Sequence, residues 1–496
     1  MEPRGTAMKA TNIQRRLSQI GSRFNLLLLV LASGLTINVS AQIDLMPLSE
    51  RNRAMTMSGE FVLASVGDLM IRRPASQLDD PEVQAVFDLI RNADLAVANM
   101  EGELANLRDF DGPLNGFVGS HEVALDLKLM GFDMLNRAQN HLLDSEFEGM
   151  FSTNTLLDEA GIVHAGSGSN LQEAAAPAFL ELAKGRAALV GAHAPIFPEH
   201  NRLAATARIG NLGGRPGLNM LNYSETILVS AQQFDALQQV RQGFLDYRDN
   251  YDNPRPVASA SPEDGLSIPA SSSGRNDPTY RVTRGDEIPG TVVYTLNDND
   301  VDRMLRSIRN ARQLSDFVIA AAHIHQSQSV VEFQHLSTRP PEFYVDLAHQ
   351  AIDAGADAFV GTGVQTLRGI EIYDGKPIFY GLGEFFREAQ WELPIVVGAA
   401  DSDPRRGMQR FSRNFGGSTQ SLESLVATSH YENGALKEVR LYPTELGING
   451  PDSRLGIPRM ATEQHAQQIL GRIARLSGKW GTKIDIEGNI GFIRVD

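Results

Sequence analysis

Four apolar runs in this chain end on side chains able to hold a metal ion or move a proton. FVLASVGD delivers Asp68, and ADLAVANME delivers Asn99 and Glu101. FDMLNRAQNHLLD delivers Asn140, His141 and Asp144, and DFVIAAAHIH delivers His323 and His325. Carboxylates, amides and imidazoles brought together suit a hydrolytic metal centre. Some would bind and neutralise a cation while a free imidazole shuttles a proton. Each residue alone has a plainer reading. An Asp after a strand is commonly a turn or helix cap, and His164, His325 or His349 can sit in an ordinary hydrogen-bonded or packed setting. The chemistry rests on four such ends belonging to one sheet. A fifth run, DAFVGTGVQT, ends on Thr362 and Gln365, which offer neither strong ligands nor a proton carrier.

These ends need elements to position them. FVLASV, ADLAVAN, FDMLNRA, AALVGA, DFVIAAA and DAFV are short apolar runs suited to buried strands. Helical stretches such as PEVQAVFDLIRNA and PPEFYVDLAHQAIDAGA lie between them, the second opening on proline and closing near glycine. Strand and helix in alternation predict an α/β fold with a largely parallel sheet, which places ligands at the carboxyl ends of its strands. RGIEIY-DG-KPIFYGL and SLVATSHYENGALKEVRLYP predict hairpins around Asp374-Gly375 and Asn433-Gly434, and with them a second, more antiparallel layer. Residues 200–290 break the rhythm. The stretch at 254–278, dense in Pro, Ser, Gly and Asp, reads as a partly disordered surface excursion with little apolar area to bury.

With these motifs in place, the chain resembles the CapA family of capsule-synthesis proteins, which is linked to poly-γ-glutamate biosynthesis. That family's fold belongs with the calcineurin-like metallophosphatases. GDLM (67–70), ADLAVANMEGEL (93–104), GFDMLNRAQNHLLD (131–144) and AGIVHAGSG (160–168) follow its running order. HIHQ (323–326), AIDAGADAFVGTGVQTLRGIEIYDGKPIFYGLGEF (351–385) and LYPTELG (441–447) continue it. The resemblance implies an α/β, metallophosphatase-like sandwich of two mixed β-sheets flanked by helices. Together with the basic and apolar leader and the break at 200–290, it divides the chain into a signal peptide (1–41), a linker (42–58), a main domain (59–400) with its insertion at 200–290, and a C-terminal segment (401–496) completing the same fold. It also implies roles: Asp68 a ligand of a first metal, Glu101 a bridging carboxylate, Asn140 and His323 ligands of a second. His141, with Asp144 beside it, would form the catalytic pair, His141 protonating a leaving group.

Three departures from the family pattern bear on that centre. Thr362 and Gln365 stand where a His-x-x-His loop is usual, Gln326 follows the histidine pair where a glutamate is common, and Gly383-Glu384-Phe385 replaces Gly-Asn-Phe. The first site then keeps Asp68 and Glu101 alone, and the second keeps Glu101, Asn140 and His323. Three ligands with water can form a catalytic site, whereas two rarely hold a transition metal. One divalent ion (Mn, Zn or Fe) is the expectation, with Asn99, His325, Thr362, Gln365 or Glu384 as additional site residues.

Composition narrows the partners. The 496 residues carry a formal charge of −15 and no cysteine, so any metal site uses N and O ligands. The first 41 residues pair a basic stretch with FNLLLLVLASGL and end at Ala41, a pattern of export with cleavage before Gln42. An uncleaved anchor at 24–41 is the alternative. Removing a leader of net +4 would leave about −19, which argues against nucleic acid. The expected protein is periplasmic or extracellular and meets an anionic polymer or a small phosphoester or amide substrate. It acts either as a metal-dependent hydrolase or as a non-catalytic polymer-binding or assembly factor.

Overall fold

A computed structural model describes residues 56–196, 202–248, 250, 260–269, 277–328, 334–388, 420–447 and 454–495. The leader and the segment 389–419 lie outside them. Among the described residues, no helix is long and apolar enough to cross a membrane.

Two sheets stack face to face. The first centres on strand Glu60–Met70, which pairs in parallel with Leu95–Asn99 and Glu384–Arg387 and antiparallel with Glu423–Glu432. Beyond Leu95–Asn99 it continues in parallel through Met134–Asn136 to Val163–Ala165. The second sheet centres on Phe317–His323, flanked in parallel by Gly185–His193 and Ala358–Thr362. Alternation along each strand sorts side chains into layers. Leu63, Leu95, Val97 and Met134 of the first sheet meet Leu189, Phe317, Ile319 and Val360 of the second in one buried core. The residues between them, such as Ala64, Ala96 and Ala98, face outward onto helices Pro81–Arg91, Glu122–Met130 and Glu146–Glu159. On the other side, Ala188, Val318 and Ala320 face helices Asp298–Leu314 and Glu342–Asp353. The result is a sandwich of two mixed sheets flanked by helices, as the resemblance implies. The six apolar runs read as strands all form strands.

Both expected hairpins form. Asp374 and Gly375 have φ of 47° and 69°, and Asn433 and Gly434 have 49° and 78°, the double positive φ of a tight hairpin turn. Their placement corrects the expectation of a separate antiparallel layer. Ile370–Tyr373 and Lys376–Phe379 extend the edge of the second sheet, while Glu423–Glu432 and Ala435–Glu445 extend the first. Antiparallel strands cap parallel sheets because their outer edges need pairing too.

Within 200–290, strands Tyr223–Val229, Leu266–Ser267 and Thr279–Val282 join Val292–Leu296 in a small sheet beside helix Ala231–Arg248. Leu266, inside the Pro/Ser-rich stretch, is fully buried against Val229 and Phe234. Leu266, with Ala260 and Ile268 packed beside it, therefore anchors a segment whose composition suggests no anchor.

Candidate metal centre

The ligand-bearing ends come from both sheets, which corrects the expectation of one: Asp68 and Asn99 close strands of the first and His323 a strand of the second, and the stacking of the sheets brings these carboxyl ends to one cleft. Asp68 is opposite Asn99 across one strand pair and opposite Glu384 across another. Gly67 makes this possible: a Cβ there would lie 1.7 Å from the carbonyl oxygen of Gly383. His323 is the register partner of both His193 and Thr362.

The residues picked out by type come together. Asn99 Nδ2 donates to Asp68 Oδ1 at 2.7 Å and lies 3.1 Å from His323 Nδ1, with its own amide oriented by Asn136 Nδ2 at 2.8 Å. His323 Nδ1 is also 3.3 Å from Asp68 Oδ1 and 3.0 Å from Thr362 Oγ1. Its Nε2 faces Asn140 Oδ1 at 2.8 Å, His325 Nε2 at 3.0 Å and Glu101 Oε1 at 3.8 Å. His325 Nε2 is 3.2 Å from the same Asn140 oxygen. The strand closes at His323, yet the i, i+2 spacing still brings the two imidazoles edge to face.

At the mouth, His141 Nδ1 meets Asp144 Oδ2 at 2.8 Å, and His141 Nε2 is 3.8 Å from Glu101 Oε1. The His141 side chain is 24% exposed, whereas those of Glu101, Asp68 and His323 are at 5% or less. The Phe117 ring covers one flank of the imidazole at 4.2 Å. Gln365 is placed differently from the rest: its backbone N–H donates to His335 O at 2.8 Å, and its Oε1 is buried without a hydrogen-bond partner. Glu384 forms an ion pair with Arg387. His349, as the plainer reading has it, packs away from the cleft, stacked on Tyr373 and bonded to Glu371.

Three participants escape a reading by residue type. His335 Nδ1 is 2.9 Å from His325 Nδ1 and extends the imidazole pair to a row of three. His193, fully buried, meets the backbone carbonyl of His323 through Nδ1 at 2.8 Å. Arg387, 5% exposed, lies close enough to Glu101 and Asp68 for their charges to act on its guanidinium. His193 closes the run AALVGAH and is detectable as a strand end. His335 lies in a single 3-10 turn, Gln334–Leu336, too short to show a periodicity, and nothing in EFFRE marks its arginine as buried.

Burial, and then the neighbouring Asp68, raise the Glu101 carboxyl well above the carboxylate range, with Arg387 opposing. Burial, then His335 and His323, hold His325 well below the usual imidazole value, and burial with Arg387 pushes His335 down to about 4. Both imidazoles are therefore neutral at pH 7 and have lone pairs to offer. Arg387 is lowered to about 9 by burial, against the pull of Glu101 and Asp68, and remains a cation at neutral pH.

These groups fit a metal ion. Glu101, His323 and His325 present ligand atoms all within 4.8 Å of one another, and Asn140 Oδ1 faces the same point. With the Nδ1–H of His323 turned to Asp68 and Thr362, and that of His325 to His335, four acceptors face one another across a shared space. A cation is what such a donor set lacks.

The family model described as bacterial capsule synthesis protein PGA_cap matches residues 62–389. The chain belongs to the PGA_cap family. It is 35% identical over 461 residues to the uncharacterized protein y4sH of Sinorhizobium fredii, covering 88% of this chain and 93% of that one. It is 32% identical over 92 residues to the PGA biosynthesis protein CapA of Bacillus subtilis, covering 18% and 22% of the two chains. Among solved structures, a hypothetical protein from Thermus thermophilus aligns with a TM-score of 0.33 and 12% identity, over 78% of this chain and 99% of its own.

Proposed function

We propose that this PGA_cap protein is exported and hydrolyses a phosphoester or amide linkage in an anionic polymer or its precursor, using one divalent metal ion. The carrying observation is the cluster of Glu101, His323, His325 and Asn140 lying directly beneath the more exposed His141–Asp144 pair. Bound there, the ion would polarise the scissile group and make a coordinated water more acidic. Glu101 and the two imidazoles would hold it, with Asn140 as a neutral fourth ligand. His141 would carry a proton on Nε2, facing the cleft, and pass it to the leaving group. Asp144, accepting from Nδ1–H, would fix that ring's orientation and support its charged form. Thr362 and Asn99 would hold His323 rather than bind the ion. The basic and apolar leader supports export.

The non-catalytic polymer-binding reading draws on a specific observation too: the end of strand Ala358–Thr362 brings no strong ligand to the cleft. One experiment separates the two. Protein purified without chelators should contain about one Mn, Zn or Fe per chain. His141→Ala should keep that metal and lose hydrolysis of a chromogenic phosphoester or of poly-γ-glutamate. Metal present with no hydrolysis by the parent, but retained polymer binding, would establish the binding factor; a metal-free parent would overturn the centre itself.

A further inference from the structure

We propose that the guanidinium of Arg387 takes the place of a second metal ion and limits this centre to a single divalent cation. The proposal rests on the reading that Glu101, His323 and His325 hold a metal.

Three carboxylates lie buried around this end of the cleft: Asp68 at 1% exposure, Glu101 at 4% and Glu384 at 1%. Asp68 and Glu384 are register partners on adjacent parallel strands, and Arg387 reaches back three residues to pair with Glu384. The guanidinium is thus held beside the Asp68–Glu384 strand pair, close enough to Glu101 and Asp68 for their charges to act on it. Asp68 is served by protein donors at both oxygens: Asn99 Nδ2 on Oδ1 at 2.7 Å and the N–H of Gly363 on Oδ2 at 3.0 Å. Gly363, with φ of 102°, can turn that N–H inward because it has no Cβ; one would lie 2.9 Å from the backbone nitrogen of Ile324. The two halves of the cleft therefore differ. Around Asp68 the acceptors already have donors and a fixed cation, while around His323 and His325 they face each other.

Charge balance leads to the same stoichiometry. With a bound cation holding Glu101 ionised, three buried carboxylates against one guanidinium leave −2, which one divalent ion cancels. A second such ion would leave an uncompensated +2 in a region from which water is largely excluded, and buried charge without a partner is strongly disfavoured. Asp144, at the mouth, is set against His141 and does not alter the count.

The test compares two neutral substitutions of neighbouring residues, neither a ligand of the imidazole cluster. Manganese binding is measured by calorimetry on the full chain after chelation, with metal per chain confirmed by elemental analysis. Arg387→Met removes a cation and should tighten the ion at least about tenfold or admit a second one. Glu384→Gln removes an anion and should weaken it by a similar factor. Arg387→Lys should bind as the parent does. A purely structural role for Arg387 would weaken binding in both neutral variants, so opposite signs are the signature. If Arg387→Met does not fold, Glu384→Gln and Arg387→Lys still decide: unchanged affinity in Glu384→Gln, or a second ion in the Lys variant or the parent, overturns the proposal. A parent that binds one ion alongside an Arg387→Met variant with identical affinity overturns it while leaving the metal reading standing. No binding by any of the proteins overturns the metal reading, and this inference with it.

Discussion

Strands Phe317–His323 and Ala358–Thr362 lie side by side, parallel and in register, with His323 opposite Thr362. Their surroundings are nearly the same: both are buried along their length, and both point their carboxyl ends into the same cleft. One continues into His325 and presents two imidazoles to Asn140 and Glu101. The other continues into Gly363, Val364 and Gln365. The second end is not idle, because Thr362 Oγ1 meets His323 Nδ1 at 3.0 Å and the Gly363 N–H holds Asp68. A strand end without ligands has become support for its neighbour's ligand. Position in the scaffold supplies the geometry; side-chain identity decides whether that geometry binds an ion or orients a group that does.

The largest effect should come from breaking the stronger strand end. His323→Ala removes the one residue that touches Asp68, Asn99, Thr362, Asn140 and His325 at once. Metal affinity should drop at least about a hundredfold, beyond the usual cost of losing an outer partner. Calorimetry with manganese would register it. Binding within a few-fold of the parent would mean that the ion, if any, sits elsewhere.

A smaller effect tests the supporting strand end. Thr362→Val keeps the shape and removes the hydroxyl that His323 Nδ1 faces. Metal affinity should fall about tenfold, the lower end of the range for orienting groups, with the count of ions per chain unchanged. An unaltered affinity would show that Asn99 and Asp68 orient His323 without help, and that the second strand end is as silent as its residue types suggest.

Much of this was legible before any fold was known, for identifiable reasons. Buried parallel strands leave near-continuous apolar runs, and Asp374-Gly375 and Asn433-Gly434 mark turns that only a positive φ satisfies. Asp68, Glu101, Asn140 and His323 follow such runs, so type and place could be read together. Arg387 could not be found that way. Its burial depends on Gly383 lying against Gly67 and on Glu384 facing Asp68, contacts made across some 300 residues of chain. His335 belongs to a single 3-10 turn tied to the N–H of Gln365 some thirty residues on, a contact that no local pattern announces. The hairpins were visible as hairpins, but which sheet each would extend is set by edge pairing, a property of the assembled sandwich.

A last effect, on stability rather than on metal affinity, separates the two strand ends by pH. The imidazole end carries His335, held neutral down to about 4 by burial and by Arg387, against an ordinary value of 6.5. Between those values the unfolded chain binds a proton that the folded chain refuses. The contribution to stability is therefore fully present above about pH 6.5 and is lost as the pH falls towards 4, by up to roughly 1.4 kcal/mol per pH unit for one such group. His335→Gln retains a polar partner for His325 Nδ1 and removes that titration. In chelated protein, denaturant unfolding at pH 7 and pH 5 should then show a smaller difference in stability than the parent does. Thr362→Val, on the neighbouring end, should lower stability equally at both pH values, since a hydroxyl does not titrate there. If His335→Gln leaves the pH 7 to pH 5 difference untouched, His335 takes up its proton in the folded protein. The row of three imidazoles would then carry charge in weak acid, and its offer of lone pairs to a metal would be confined to neutral pH and above.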